Sequence, residues 1–480
     1  MGFNIVSKKP SIVWAKGDTI DVDRLDSKFY DVKFIDSHNV LLNSKSSKSK
    51  LSEIINTMNA PIGWQGIPSN AYRDKGSGIP LIRVQNIQDN KINWETVIDV
   101  DPSIYNSQPA IQAEEGNIII TRVGHTIGKL CKVPQGIPKV AMGQNLTRIS
   151  FDESKVDVDY IYAFLNTSYC RKQMDRFSYG GAQPSLTNKN IRDLLIVIPS
   201  FKTQTYIGDK VRKAEQMREE ALQLRKEAEQ IIKTILNLEE LTLKINQLEK
   251  RSFWINSEDL FLNRLDSQYY GVIFQLIENH MKKISSEYIS IGKLINYTFT
   301  GNRLNESEIG KKIYFIQSGN ISENFLELNG EQIKTVIETP LNKVDFSDIL
   351  FAKDGETIGK LAPCYTKEDI YINEHTICVK LKEAYKHYSS FIYYFLISEV
   401  GKVLIKREAT GTAQKGISKN FLDNIKIPLV KESIVKELYE ITVDLTEKLY
   451  TSNRLILEAT SDVESLIEGS FEESKIIEAE

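Results

Sequence analysis

Cysteine and histidine are scarce in this chain of 480 residues, which holds four cysteines (Cys131, Cys170, Cys364 and Cys378) and five histidines. No two cysteines form a CxxC pair, so neither a disulfide framework nor a zinc ribbon is indicated, and they read as reduced, structural thiols. Long apolar runs are also missing. Nothing approaches the roughly 20 residues of a membrane span, and the opening MGFNIVSKKPSIVWAKGD lacks the apolar centre and small-residue cleavage site of a secretory leader. The expectation is a cytoplasmic protein with no membrane contact. Charge of one sign is lacking as well: 61 Lys and Arg stand against 64 Asp and Glu, a formal net charge of -3. That excludes a bulk attraction to polyphosphate, so any such attraction must come from local clusters. Two windows are locally positive. Residues 161–200 carry Arg171, Lys172, Arg176, Lys189 and Arg192 against Asp175 and Asp193, and residues 400–426 carry six Lys or Arg against Glu408 and Asp423.

With 41% hydrophobic and 26% charged residues, the composition is that of a folded globular protein, and the length exceeds what one core usually supports. The chain is a duplication. Arg24-Leu-Asp-Ser-Lys-Phe-Tyr30 returns as Arg264-Leu-Asp-Ser-Gln-Tyr-Tyr270, Ile54-Ile55-Asn56 as Leu294-Ile295-Asn296, and Ile82-Arg-Val-Gln-Asn-Ile87 as Ile316-Gln-Ser-Gly-Asn-Ile321. Thr126-Ile-Gly-Lys-Leu130 matches Thr357-Ile-Gly-Lys-Leu361, Ile161–Leu165 matches Ile392–Leu396, and Gly181-Ala-Gln183 matches Thr412-Ala-Gln414. The order is kept and the offset drifts only from 240 to 231, so the copies share a fold and differ in loops. Short β-branched runs such as Ile79–Val84, Asn117–Thr121 and Ile349–Ala352 predict strands, while Ile161–Leu165 and Phe391–Leu396 predict buried short helices. Each copy ends in a long amphipathic segment. Apolar residues recur at Val211, Ala214, Met217, Ala221, Leu224, Ala228, Ile231, Ile235 and Leu238, and again from Ile434 through Leu438, Ile441, Leu445, Ile456, Ala459, Val463 and Leu466. Steps of three and four predict two helices of about 45 residues, roughly 65 Å each, paired as a coiled coil.

These residues resemble the specificity subunits of type I restriction–modification systems over nearly the whole chain. The resemblance rests on the Arg-Leu-Asp opening of each half, on the Gly-rich turns Gly180-Gly-Ala-Gln-Pro-Ser-Leu186 and Thr410-Gly-Thr-Ala-Gln-Lys-Gly-Ile417, and on the strands Ile196-Val-Ile-Pro199 and Ile425-Lys-Ile-Pro428 that precede the long helices. It departs from the family after each Ile-Pro, where Ser200-Phe-Lys-Thr-Gln204 and Leu429-Val-Lys-Glu432 keep only fragments of the usual Pro-Pro-Leu and Glu-Gln. It implies an α+β fold of two similar target-recognition domains separated by two long antiparallel coiled-coil helices, with a pseudo-two-fold internal repeat. The expected parts are a leading segment over 1–50 packed on the first domain, recognition domains over 51–200 and 251–428, and spacer helices over 201–250 and 429–480. It also implies binding to a bipartite site in double-stranded DNA, two methyltransferase subunits that carry S-adenosylmethionine, and restriction subunits that use ATP and Mg. No cofactor is expected in this chain.

Nothing in the sequence points to catalysis. Gly124-His-Thr-Ile-Gly128-Lys129 and Gly355-Glu-Thr-Ile-Gly359-Lys360 are one residue short of a phosphate-binding loop and continue with Leu instead of Ser or Thr, so they read as turns between strands with Lys129 and Lys360 near a phosphate. His125 has Glu356 as its counterpart, and His375 with Cys378 lacks a second ligand pair. Asp345, Asp348 and Asp354 answer to Glu114, Asn117 and Val123, and read as solvated loop charges.

Base edges are read by Arg and Lys toward guanine and by Asn and Gln toward adenine. In the first copy the candidates are Arg83, Gln85, Asn86, Arg122, Lys129, Gln144, Asn145, Tyr179 and Gln183. In the second they are Gln317, Asn320, Lys353, Lys360, Asn373, Lys406, Arg407, Gln414 and Lys415. Asn86 and Asn320 also suit turns. Two other readings stay open from the residues alone: a specificity subunit serving a type II-like fused nuclease–methyltransferase, and a coiled-coil scaffold with two protein-binding lobes.

Overall fold

A computed structural model of the chain describes residues 24, 26–61, 67–88, 90–94, 96–179, 184–247, 270–322, 325–326, 328, 332–354, 358–408, 417–418 and 420–478. It divides into two compact units, residues 1–215 with 455–480 and residues 216–454. The second Arg-Leu-Asp motif lies outside the described residues apart from Tyr270.

Unit 1 opens with helix α1 (Val32–Asn43), whose first turn is capped by the Asp31 carboxylate accepting from Lys33 N–H. Strands β1 (Ser47–Lys50) and β2 (Ile55–Asn59) follow. Next come β3 (Tyr72–Arg73), β4 (Ile79–Ile82), β5 (Ile98–Val100), β6 (Gln112–Ala113), β7 (Ile118–Thr121), β8 (Leu130–Lys132), β9 (Val140–Met142) and β10 (Leu146–Phe151). An antiparallel sheet runs in the order β8-β7-β10-β2, and a second in the order β3-β5-β4-β9-β6, where β4 and β9 are parallel. Short helices α2 (Val158–Leu165) and α3 (Ser168–Phe177) bring Tyr160, Tyr162, Phe164 and Met174 into the core. Strand β11 (Leu195–Ile198), the Ile-x-Ile-Pro segment, pairs with β1. The start of the long helix α4 (Phe201–Ile235) then contributes Ile207, Val211 and Ala214 to the core that also holds Ile456, Ala459, Val463 and Leu466 of the last helix.

Unit 2 repeats this plan. Helices α5 (Leu238–Asn246) and α6 (Val272–Ile284) precede β12 (Tyr288–Ser290), β13 (Ile295–Thr300), β14 (Lys311–Ile316), β15 (Ile333–Val336), β16 (Ile349–Ala352), β17 (Leu361–Pro363), β18 (Ile370–Ile372) and β19 (Thr376–Leu381). The sheets run β13-β19-β16-β17 and β15-β14-β18, and β14 and β18 again form a parallel pair. Helices α7 (Tyr388–Ile397) and α8 (Glu399–Glu408) bury Phe391, Tyr393, Tyr394 and Phe395. Strand β20 (Lys426–Pro428) pairs with β12 as β11 does with β1, and α9 (Glu432–Glu468) follows. Burying one such aromatic or aliphatic side chain contributes about 1.5–3 kcal/mol, which is why these cores dictate both folds.

The α+β duplication expected from the repeat is present. The central helix differs from the expected single run of about 45 residues. It stops at Ile235, Asn237 takes a left-handed conformation (φ 43°), and α5 begins at Leu238. His280 Nε2 lies 2.9 Å from the Leu236 carbonyl oxygen next to that break. The buried stripe of α9 is also shifted by one residue near its start, running Val435, Leu438, Thr442 and Leu445. The Thr442 hydroxyl donates to its own helix at the Leu438 carbonyl, so it enters the core with its polar atom satisfied.

Candidate nucleic-acid interface

The parallel strand pair organises the site in each unit. In unit 1, β4 and β9 end side by side, with Gly143 N–H donating to the Ile82 carbonyl at 2.8 Å. Arg83 follows β4, and the turn Gly143-Gln144-Asn145 follows β9. Asn145 holds a left-handed φ of 68°, a conformation asparagine tolerates better than most residues. Its carbonyl accepts from Arg122 N–H at 2.8 Å, and the Arg122 carbonyl accepts from Leu186 N–H at 2.8 Å. Tyr179 exchanges backbone hydrogen bonds with Ser185 at 3.0 and 2.8 Å, while Gly124 N–H reaches the Pro184 carbonyl at 2.9 Å. Four segments distant in sequence thus converge, bringing together Arg83, Arg122, Gln144, Asn145 and Tyr179. Gln144, Asn145 and Tyr179 are exposed. Arg122 is half-buried; desolvation lowers its pKa, and its Nε has no hydrogen-bond partner among the described residues. The Arg83 Nε is buried and unpartnered in the same sense, although another nitrogen of that guanidinium donates to the Thr96 carbonyl at 3.1 Å.

The Thr-Ile-Gly-Lys-Leu motif is the turn that joins β7 to β8. Gly128 has φ +78° and a Cβ there would lie 2.9 Å from Met174 Sδ; its counterpart Gly359 has φ +79° and would meet Ile405 Cγ2 at 2.8 Å. Both the left-handed backbone and the close helix demand glycine. Arg171 borders this turn, its Cδ 3.5 Å from where a Cβ on Gly128 would stand. Lys129 and Lys360 sit half-buried at the start of β8 and β17.

Unit 2 builds the same backbone. Asn373 N–H donates to the Ile316 carbonyl at 3.1 Å, Lys353 N–H to the His375 carbonyl at 2.9 Å, and Ile417 N–H to the Lys353 carbonyl at 3.1 Å. Gln317, Lys353 and the turn Asn373-Glu374-His375 therefore occupy the places of Arg83, Arg122 and Gly143-Gln144-Asn145. Sequence reasoning missed Glu374 and Arg303, and it weighed His375 only beside Cys378 and took Asp354 for a solvated loop charge, whereas the two lie against each other at this turn. Arg303 Nε donates to Glu374 Oε1 at 2.9 Å, and His375 Nδ1 lies 3.1 Å from both Asp354 carboxylate oxygens. The Glu374 carboxyl is held below its usual pKa by a backbone N–H and by Arg303. Aligning Met142-Gly-Gln-Asn with Ile372-Asn-Glu-His was the signal that would have found this turn.

Several candidates are committed elsewhere. Asn86 is wholly buried; its Oδ1 accepts from Arg83 N–H at 2.8 Å and its Nδ2 donates to Thr96 Oγ1 at 2.8 Å. Asn320 caps the equivalent turn by accepting from Gln317 N–H at 2.9 Å. Both are turn-formers here. Asn373 is buried, with Oδ1 accepting from the Thr376 hydroxyl at 2.8 Å. Arg407 stacks 4.8 Å over the Phe274 ring and pairs with Glu278 at 3.5 Å, whereas its neighbour Lys406 is exposed on α8 and Gln85 is exposed beside Asn86. Gln183, Gln414 and Lys415 lie outside the described residues.

Asp348 is no solvated loop charge. It is 2% exposed and faces Lys380 Nζ at 2.8 Å, with Cys378 Sγ donating to it at 3.5 Å. Desolvation opposes the Lys380 charge, but Asp345 and Asp348 outweigh it and raise its pKa. All four cysteines are free and buried. Among the described residues no group of three His, Cys, Asp or Glu is placed to hold a metal, and no helix is long and apolar enough to cross a membrane.

Fold and site together define a duplicated α+β protein that displays two sets of polar loops, alike in backbone and unlike in side chains. The family model of the type I restriction modification DNA specificity domain matches residues 43–230 and again 283–459, and the chain belongs to that family. Over 167 residues it is 23% identical to the type I restriction enzyme MjaVIII specificity subunit of Methanocaldococcus jannaschii, covering 34% of this chain and 39% of that one. Over 184 residues it is 24% identical to the type I restriction enzyme EcoBI specificity subunit of Escherichia coli, covering 38% and 37%. The chain thus spans less than two fifths of the length of these curated relatives. The crystal structure of a type I restriction–modification S subunit from M. genitalium aligns over 90% of this chain and 97% of its own, at 13% identity and a TM-score of 0.45.

Proposed function

We propose that this chain is the non-catalytic, sequence-reading subunit of a type I restriction–modification complex, each unit reading one half of a bipartite site in duplex DNA. The observation that carries the proposal is the pair of turns, Gly143–Asn145 and Asn373–His375, held by matching backbone hydrogen bonds yet carrying different side chains. A scaffold repeated with its polar tips varied suits a reader of two unlike short sequences, because phosphate contacts position a protein and base edges specify it. The exposed Gln144, Asn145 and Tyr179 beside Arg83 and Arg122 support it, since polar side chains on loop tips can reach base edges and phosphates. Catalysis belongs to the partners: two methyltransferase subunits with S-adenosylmethionine, and restriction subunits with ATP and Mg. The two long helices pair as a coiled coil and set the gap between half-sites. Inserting four residues in both, about 6 Å of helix, is expected to widen that gap by about one to two base pairs.

The deciding experiment maps methylated adenines across the host genome with and without this gene. A split motif that disappears on deletion is expected, with Arg122→Ala altering one half and Lys353→Ala the other. Motifs unchanged by the deletion would refute the proposal.

A further inference from the structure

The turn of unit 2 carries charge that the turn of unit 1 does not. Where the first repeat shows neutral Gln144-Asn145, the second shows Glu374-His375, with Asp354 and Arg303 alongside. Arg303 reaches this turn because Gly301 crosses the end of β18 closely: a Cβ there would lie 1.7 Å from the Ile372 carbonyl oxygen, and Asn302 N–H donates to that oxygen at 3.1 Å. The Arg303 side chain is 90% exposed, so its guanidinium keeps most of its donors for a ligand. Carboxylates on a surface that meets phosphates are repelled unless a cation or a donor answers them; within the protein His375 lies against Asp354 and Arg303 donates to Glu374, and DNA can supply a further donor.

One base pair offers both halves of the match. In the major groove guanine presents the acceptors N7 and O6, which suit a guanidinium fork, and its partner cytosine presents the N4 amino donor, which suits a carboxylate. We propose that Arg303 and Glu374 together read one G·C base pair in the half-site of unit 2, Arg303 on guanine and Glu374 on cytosine N4, while Asp354 and His375 position the turn. With A·T in that place, Arg303 would keep the purine N7 but meet the adenine N6 donor where guanine offers O6, and Glu374 would meet the thymine O4 acceptor, so one acceptor and one donor of the match would be lost. The inference rests on the DNA-reading function proposed above and assigns it a base preference.

The test replaces the gene in its host by Glu374→Gln or Arg303→Ala, maps adenine methylation, and measures duplex binding by the complex purified from that host. A glutamine donates as well as accepts, so Glu374→Gln is expected to relax one G·C position of one half-site, cutting discrimination against A·T there by roughly 5- to 150-fold. The other half-site stays fixed. Arg303→Ala is expected to weaken cognate binding and to relax the same position. A wild-type half-site without an invariant G·C, or a motif untouched by both substitutions while hydrogen exchange shows unit 2 folded, overturns the inference alone. Wild-type binding without any sequence preference overturns the DNA-reading function beneath it.

Discussion

The two units anchor their sheets to the long helices by opposite chemistry. In unit 1, Lys132 of β8 pairs with Asp159 of α2 and, at 2.6 Å, with Glu215 of α4, while Arg212 reaches Asp157 at 3.1 Å and Asp159 at 2.9 Å. At an offset of 231 the residues at 132, 159, 212 and 215 become Pro363, Ser390, Val443 and Thr446. Unit 2 fills the space with neutral groups: the Tyr365 hydroxyl bonds Ser389 and Ser390 at 2.7 and 2.6 Å, its ring meets Tyr439 edge-on at 5.6 Å, and the Tyr439 hydroxyl bonds Ser347 at 2.8 Å. One backbone plan therefore tolerates either solution, ionic in unit 1 and hydroxyl-based in unit 2. The two solutions fail differently. An ion pair stripped of one member leaves a buried charge, whereas a neutral network stripped of one hydroxyl leaves a smaller penalty.

The largest effect is expected from Lys132→Met, which takes from Asp159 and Glu215 the lysine between them and leaves Asp159, 10% exposed, with Arg212 as its remaining cation. A loss of about 3–5 kcal/mol is expected, read as faster hydrogen exchange confined to unit 1; an unchanged protection pattern would remove the ionic joint from the comparison. Gly128→Ala and Gly359→Ala come next, at about 1–3 kcal/mol each. They are expected to act alike, because that turn is built identically in both units, and chemical denaturation of the two variants checks it. Tyr365→Phe is expected to cost about 1–3 kcal/mol in unit 2, less than the lysine substitution in unit 1, and a reversed order would break the contrast. Raising the pH is expected to loosen both joints. Desolvation opposes the Lys132 charge, but Glu215 and Asp159 raise its pKa above 10.5, and burial raises that of Tyr365 above 10.0. Both protonated forms are favoured by folding, so their stabilisation is whole below those ordinary values and fades as the pH climbs through the higher folded ones. Circular dichroism in alkali reads this. The smallest effect belongs to Lys448→Met, which removes the more exposed pair with Glu220 at 2.7 Å and is expected to cost at most about 1 kcal/mol.

Much of the fold was legible because duplication doubles each signal. The strands at Ile79, Ile118 and Ile349 stand where β-branched runs between turn residues placed them, and the glycine of Thr-Ile-Gly-Lys-Leu marked a turn that has no substitute. The break at Asn237 was not legible, since the apolar rhythm runs through it from Ile235 to Leu238 and a buried histidine 43 residues further on meets the interruption. Of the site, the loops were legible but not the roles within them. Asn86 and Gln85 are neighbours of similar chemistry, yet one is buried in a turn and the other exposed. Arg303 and Glu374 stand 71 residues apart, and only the close passage of Gly301 over β18 joins them.

By itself the sequence determined the duplication, the order of elements in each copy and the long amphipathic helices, because periodicity and turn chemistry act between residues close along the chain. Tertiary structure alone decided which polar side chains are engaged internally and which are presented. Asp348 sinks beneath Lys380, Arg407 lies over Phe274, and Arg122 keeps a buried Nε that no described residue accepts from. Burial and hydrogen-bond satisfaction are settled by partners remote in sequence, and no local pattern encodes them.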